Sequence, residues 1–125
     1  MRFKNRLHEE TFYEIMSRMR SNDVYHLSAA YLMALADLYP NDVFDFDNDC
    51  IIHGGLYKGW QTSSSRRATR LMFNLWNGCH KDLAADCPEK TSCYYVVDEI
   101  LNNYEYFPWF MEAIKIRFGW DDFDD

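Results

Sequence analysis

Residues 63–78 read SSSRRATRLMFNLWNG, a helix punctuated at both ends, and this stretch decides the fold class. The hydroxyls of Ser63, Ser64 and Ser65 can accept from the N–H groups that a first helical turn leaves unpaired, and Gly78 can take the left-handed cap at no steric cost. Between these signals Ala68, Leu71, Met72, Leu75 and Trp76 recur at helical spacing as one apolar stripe. Arg66, Arg67, Arg70, Asn74 and Asn77 gather on the opposite arc, so one face belongs to a core and the other is free to work.

The positive end of a helix dipole is where arginines are least favoured, by roughly 0.3–1 kcal/mol for an exposed charge. Arg66, Arg67 and Arg70 therefore need compensation. One source is a salt bridge to an acidic loop of the same chain. The other is a phosphate or carboxylate from outside, gripped with help from Ser64 and Ser65 at the helix start. Lys58 and Trp60 extend the cluster, since bases beside an aromatic are the elements of a single-stranded nucleic-acid platform.

Outward from this helix the punctuation continues. A first helix is predicted over Glu9–Met19, with Phe12, Ile15, Met16 and Met19 on one face. A second, capped by Asn22 or Asp23, runs to about Tyr39 before Pro40 and is apolar on nearly every side, which places it deep in the core. Residues 40–62 hold Pro40, Gly54, Gly55 and Gly59 without helical period and read as one long connection containing a short hairpin or turn. Thr91 or Ser92 opens a further helix through Leu101. The last spans Pro108 to Gly119, nearly all apolar and so expected to be central, with Arg117 among apolar neighbours and in need of a carboxylate.

At 125 residues the chain is long enough for one domain with a real core, expected over residues 1–125 with a mobile acidic tail at 121–125. Aromatic residues make up 18%, more than a small core needs, so some are expected at the surface, where they favour a protein partner. The net charge of −7 is segregated: residues 21–57 hold six acids and no Lys or Arg, whereas residues 50–81 hold five bases and no acid. This balance makes direct nucleic-acid binding unlikely and favours a partner with a basic surface; a homodimer is left open. No apolar run approaches the ~20 residues that span a bilayer, and residues 1–10 lack the apolar stretch of a signal peptide, so a cytoplasmic protein without membrane contact is expected. Cys50, Cys79, Cys87 and Cys93 then read as reduced thiols.

Asp45, Asp47 and Asp49 alternate like the opening of a calcium loop, but Cys50 stands where that loop needs glycine and Leu56 where it needs glutamate. Cys79, His80, Cys87 and Cys93 lack the paired spacing of a zinc knuckle. No metal and no cofactor is expected. Among the histidines, His26 is expected to be satisfied by a core hydrogen bond, and His53, before Gly54-Gly55, can face a cleft. No nucleophile motif accompanies it.

The segments YHLSAAYLMALADL (25–38), FDFDNDCI (44–51), SSSRRATRLMFNLWNG (63–78) and AIKIRF (113–118) resemble an uncharacterised family of small proteins from Gram-positive bacteria and their mobile elements, a domain of unknown function. The resemblance implies setting and compactness and transfers no site. The expected architecture is all-α, a compact bundle of about five helices with one long loop at 40–62. The expected function is that of a non-enzymatic protein-binding module of a phage or mobile element. It would inhibit a host defence nuclease in the manner of an anti-CRISPR, with Asp42, Asp45, Asp47, Asp49, Asp121 and Asp122 forming a surface that mimics nucleic acid. The alternative is a small anion- or nucleotide-binding protein or enzyme that uses Arg66, Arg67 and Arg70. The acidic loop at Asp42–Asp49 is expected to fold back over these arginines.

Overall fold

A computed structural model describes residues 1–82, 95, 97–102 and 105–120. The protein is mainly helical. The order is α1 (Arg6–Met16), α2 (Val24–Leu35), α3 (Pro40–Val43), β1 (Phe44–Asp45), β2 (Cys50–Ile51), a 3₁₀ helix at His53–Tyr57, then α4 (Ser63–Asn77), α5 (Val97–Leu101) and α6 (Phe107–Phe118). Helix α2 packs against α1, α4 and α6. Every residue from Ser28 to Ala36 is buried, as its all-round apolar sequence requires.

Side-chain chemistry sets the helix ends. Helix α1 begins three residues earlier than its apolar period alone suggests, because the Asn5 side chain accepts from the His8 N–H at 2.9 Å. It stops at Met16, where the chain tightens through Arg18 N–H to Ile15 and Met19 N–H to Met16. The cap of α2 is Asp23. Its end is not set by Pro40: Asp37 takes the left-handed conformation at φ 51°, and the Leu38 N–H returns to the Met33 carbonyl at 3.0 Å. This closure satisfies an otherwise unpaired carbonyl and returns Leu38 to the core. Helix α4 is capped one residue before the serines by Thr62, in a reciprocal box with Ser65, and ends at Gly78 with φ 78°.

The connection at 40–62 is more structured than an open loop. Helix α3 leads into a hairpin in which Phe44 pairs with Ile51 and Asp45 with Cys50, and the 3₁₀ helix then packs against α3. Close approach at Gly55 makes this possible, since a Cβ there would lie 2.3 Å from the Asp42 carbonyl oxygen and 2.9 Å from Val43 Cγ1. Gly55→Ala is therefore expected to destabilise the fold by about 1–3 kcal/mol in urea denaturation, because the nearest obstacle is backbone and cannot swing away. An unchanged midpoint would show that this contact is loose.

Helix α6 is less central than its composition implies. Phe110 and Ala113 are buried against the core, whereas Phe107, Met111 and Phe118 are exposed. Tyr13, Tyr25, Tyr39 and Trp120 are exposed as well, so the aromatic excess does reach the surface. Arg117 finds no carboxylate among the described residues. Its Nε donates to the Leu75 carbonyl at 2.7 Å, and its guanidinium lies 3.9 Å from the centre of the Tyr25 ring, so a carbonyl and an aromatic face replace the anion. The helix expected from Thr91 or Ser92 is described only from Val97 onward.

Candidate functional site

The three arginines of α4 leave the helix toward three different parts of the protein. Arg66 Nε donates to the Leu56 carbonyl at 2.9 Å, and Arg67 Nε donates to the Glu99 carbonyl at 3.0 Å. Arg70 grips Asp82 with two nitrogens, Nε to Oδ1 at 3.2 Å and Nη2 to Oδ2 at 2.8 Å. That pair is buried, the side chains being 11% and 0% exposed, and the Tyr57 hydroxyl donates to the same carboxylate. Burial and the adjacent Asp82 push the Tyr57 phenol up to about 12, so it remains a donor. Arg70 loses hydration by burial, yet Asp82 outweighs that loss and raises its pKa.

The acidic loop does not fold over these arginines. This corrects the expected contact, and the reason is that Asp42, Asp45 and Asp49 each have a nearer partner, while Asp47 points outward. Asp42 accepts from Trp60 Nε1 at 2.7 Å, and Trp60 meets Tyr39 edge-on at 5.0 Å. Asp45 accepts from the backbone N–H groups of Asp47 and Asn48 at 3.1 Å each and from Asn48 Nδ2 at 2.7 Å. These bonds, from Asn48 first, hold the Asp45 carboxyl below its ordinary range. Ser65, offered by the sequence to an external anion, is buried and occupied within the helix cap, where its Oγ accepts from Thr62 N–H at 2.8 Å. Lys58, Trp60, Ser64, Ser65 and the three arginines thus form no convergent basic cradle.

Asp49 instead reaches His26. Its Oδ1 accepts from His26 Nε2 at 2.8 Å, and Asp23 Oδ1 accepts from His26 Nδ1 at 2.7 Å. Only an imidazolium offers both N–H donors at once. Burial works against the charge, but the hydrogen bonds to Asp23 and Asp49 outweigh it and raise the His26 pKa. The clamp ties the start of α2 to the hairpin, where Asp49 holds a left-handed turn at φ 57°. What remains outward on this face is the turn between β1 and β2, with Asp47 exposed and a cleft of about 390 Å³ lined by Arg18, Asn41, Phe44, Asp45, Phe46, Asp47 and Ile52. Arg18 lies across the Phe46 ring at 3.9 Å.

A model of the family of unknown function DUF6075 matches residues 1–124. The chain belongs to that family. No curated protein and no solved structure matches it. A DUF6075 member therefore has to be read from its own geometry, and the described residues contain no group of three or more His, Cys, Asp or Glu placed to hold a metal ion. Nor do they contain a helix long and apolar enough to cross a membrane. Cys50 and Cys79 are free thiols, whereas Cys87 and Cys93, like Asp121 and Asp122, lie outside the described residues.

Two buried polar residues that sequence reasoning passed over find their partners only in the fold. Asp82 sits in a polar stretch with no local signal, and only the fold brings it to Arg70 and Tyr57. His8 is buried, and its Nε2 donates to the Tyr31 carbonyl at 3.0 Å while Nδ1 accepts from Lys4 N–H at 3.0 Å, which fixes a neutral ring. Burial lowers its pKa.

The two buried histidines give opposite pH dependences. The raised His26 pKa contributes stability that is present below 6.5 and lost as pH rises through the folded value. The lowered His8 pKa contributes stability that is present above 6.5 and lost as pH falls through its folded value. In denaturation measured against pH, the wild type is expected to lose stability above 6.5 in a step that His26→Gln lacks. The half-exposed Asp23 is screened by solvent, so the step should be about 1 kcal/mol or less. A step of equal size in His26→Gln would remove the clamp from the account.

Proposed function

We propose that this DUF6075 chain is a non-enzymatic protein-binding module whose acidic hairpin face docks a basic, nucleic-acid-binding surface of a partner. The observation that carries this reading is the division of charge: the arginines of α4 are turned to internal carbonyls and to Asp82, while Asp45 and Asp47 remain at the rim of an open cleft. Outward carboxylates would take the places of phosphates, steering association and fixing register. The resemblance to proteins of mobile elements in Gram-positive bacteria suggests the setting, an inhibitor of a host defence nuclease acting in the cytoplasm. The exposed aromatics of α6 supply apolar area of the kind interfaces use.

The alternative, an anion or nucleotide held by Arg66, Arg67 and Arg70, is disfavoured because Arg70 is already bidentate to a buried carboxylate. The test is competition. A nuclease captured by the chain should be released by the nucleic acid it normally binds, Asp45→Asn/Asp47→Asn should abolish capture, and Asp47→Asn alone, at an exposed side chain, should weaken capture without changing the unfolding midpoint. Retention in saturating nucleic acid would remove mimicry, and retention by the double variant would remove the hairpin as the docking face. Asp42 and Asp49 are poor choices for this variant, since their loss would also disturb Trp60 and His26.

A further inference from the structure

A second concave site lies at the opposite end of α4 from its arginines. The cavity is about 370 Å³ and is lined by His53, Asn77, Gly78, Cys79, His80 and Lys81. That volume is within the range of small-molecule sites. Among the described residues its lining holds two imidazoles and an ammonium and no carboxylate, in a chain whose net charge is −7. Asp82, the nearest acid in sequence, is withdrawn, its side chain fully buried and bound to Arg70 and Tyr57.

His53 Nδ1 is buried without a hydrogen-bond partner, a state that costs free energy until a donor or acceptor reaches it. Asn77 Oδ1 is taken by the Cys79 N–H at 3.0 Å, which leaves the amide NH₂ of Asn77 as the end available to a ligand. A helix C-terminus ordinarily repels anions through its unpaired carbonyls. Here that repulsion is reduced, because the Leu75 carbonyl accepts from Arg117 and the Asn74 carbonyl from the Gly78 N–H at 2.8 Å. The Cys79 thiol donates to the Lys81 carbonyl at 3.1 Å and is hydrogen-bonded to neither histidine, so the cavity is arranged to bind and not to attack.

We propose that this cavity binds a small oxyanion of the phosphate or carboxylate class. Lys81, His80 and the Asn77 amide donate to its oxygens, and the His53 ring completes the lining. The site is independent of the acidic hairpin, which lies on α3 and the β-strands.

The experiment is an amide NMR titration of the whole chain with inorganic phosphate, with chloride at matched ionic strength as the reference. The expected result is saturable shifts centred on residues 77–81. The dissociation constant should weaken about tenfold in Lys81→Ala, the loss of one charge-assisted hydrogen bond, and by a similar factor in His80→Ala. Both side chains are exposed, so neither variant should unfold the protein. Lys58→Ala, at a residue outside the lining, should bind as the wild type does. Shifts reproduced by chloride, shifts centred on residues 63–67, or an unchanged dissociation constant in both Lys81→Ala and His80→Ala would each overturn the proposal. Acetate in place of phosphate separates the two ligand classes, and saturable binding of either at residues 77–81 supports it.

Discussion

Asp82→Ala is expected to cost the fold about 3–5 kcal/mol in chemical denaturation, a large share of the 5–15 kcal/mol that holds a typical domain together. The substitution leaves the Arg70 guanidinium, only 11% exposed, with neither of its two carboxylate bonds, and it leaves the Tyr57 hydroxyl without its acceptor. Water cannot easily replace them, because the carboxylate site is closed. Arg70→Met/Asp82→Ala should be far less damaging than Asp82→Ala alone, since removing both charges removes the desolvation that the pair was compensating. If the double variant instead loses the sum of the two single losses, Arg70 and Asp82 act independently and the buried pair is not an energetic unit.

Phe73→Ala should be comparably severe, about 3–5 kcal/mol, with the urea slope unchanged. Phe73 is fully buried and meets His53 edge-on, with ring centroids 5.6 Å apart. Truncation opens a cavity between α4 and the 3₁₀ helix that neither backbone can close. Phe73→Leu, which keeps most of the volume, should cost much less. Equal losses for the two variants would mean that the aromatic contact with His53, and not the volume, carries the stability.

Phe73 also carries a signal, within the sequence, that the arginines of α4 have internal partners. It lies three residues after Arg70 and seven after Arg66, and so shares their arc of α4. A buried aromatic on that arc means the arginines lie along a packed face and must find internal partners. The apolar stripe from Ala68 to Trp76 was legible, but Ser65, Thr69 and Phe73 are buried too, which widens the core face of the helix. Caps were legible at Asp23, Gly78 and Gly119, because each is a local interaction of one residue with its own turn. The central position of α2 was legible from its uniform apolarity.

Charge partners were not legible, and the reason is physical. A helical period identifies which face is buried, but the identity of the opposing residue depends on chain segments separated by any number of positions. Arg70 and Asp82 are twelve positions apart, and His26 and Asp49 are twenty-three apart. The segregation of acids and bases suggested attraction between residues 42–49 and α4. Local competition prevailed, since Asp45 closes its own turn, Asp42 is taken by Trp60 and Asp49 by His26. Composition alone cannot rank such short contacts against a long one.

On the proposed reading the acidic hairpin faces outward to a partner while the arginines of α4 turn inward. The most direct measurement is the affinity for a captured nuclease across a range of salt, for the wild type, Asp45→Asn/Asp47→Asn and Arg66→Ala/Arg67→Ala. The account predicts wild-type affinity that falls steeply with salt, little or no binding by the aspartate variant, and a near-normal affinity and salt slope for the arginine variant. Salt-independent binding, or binding lost with the arginines and kept without the aspartates, would contradict it.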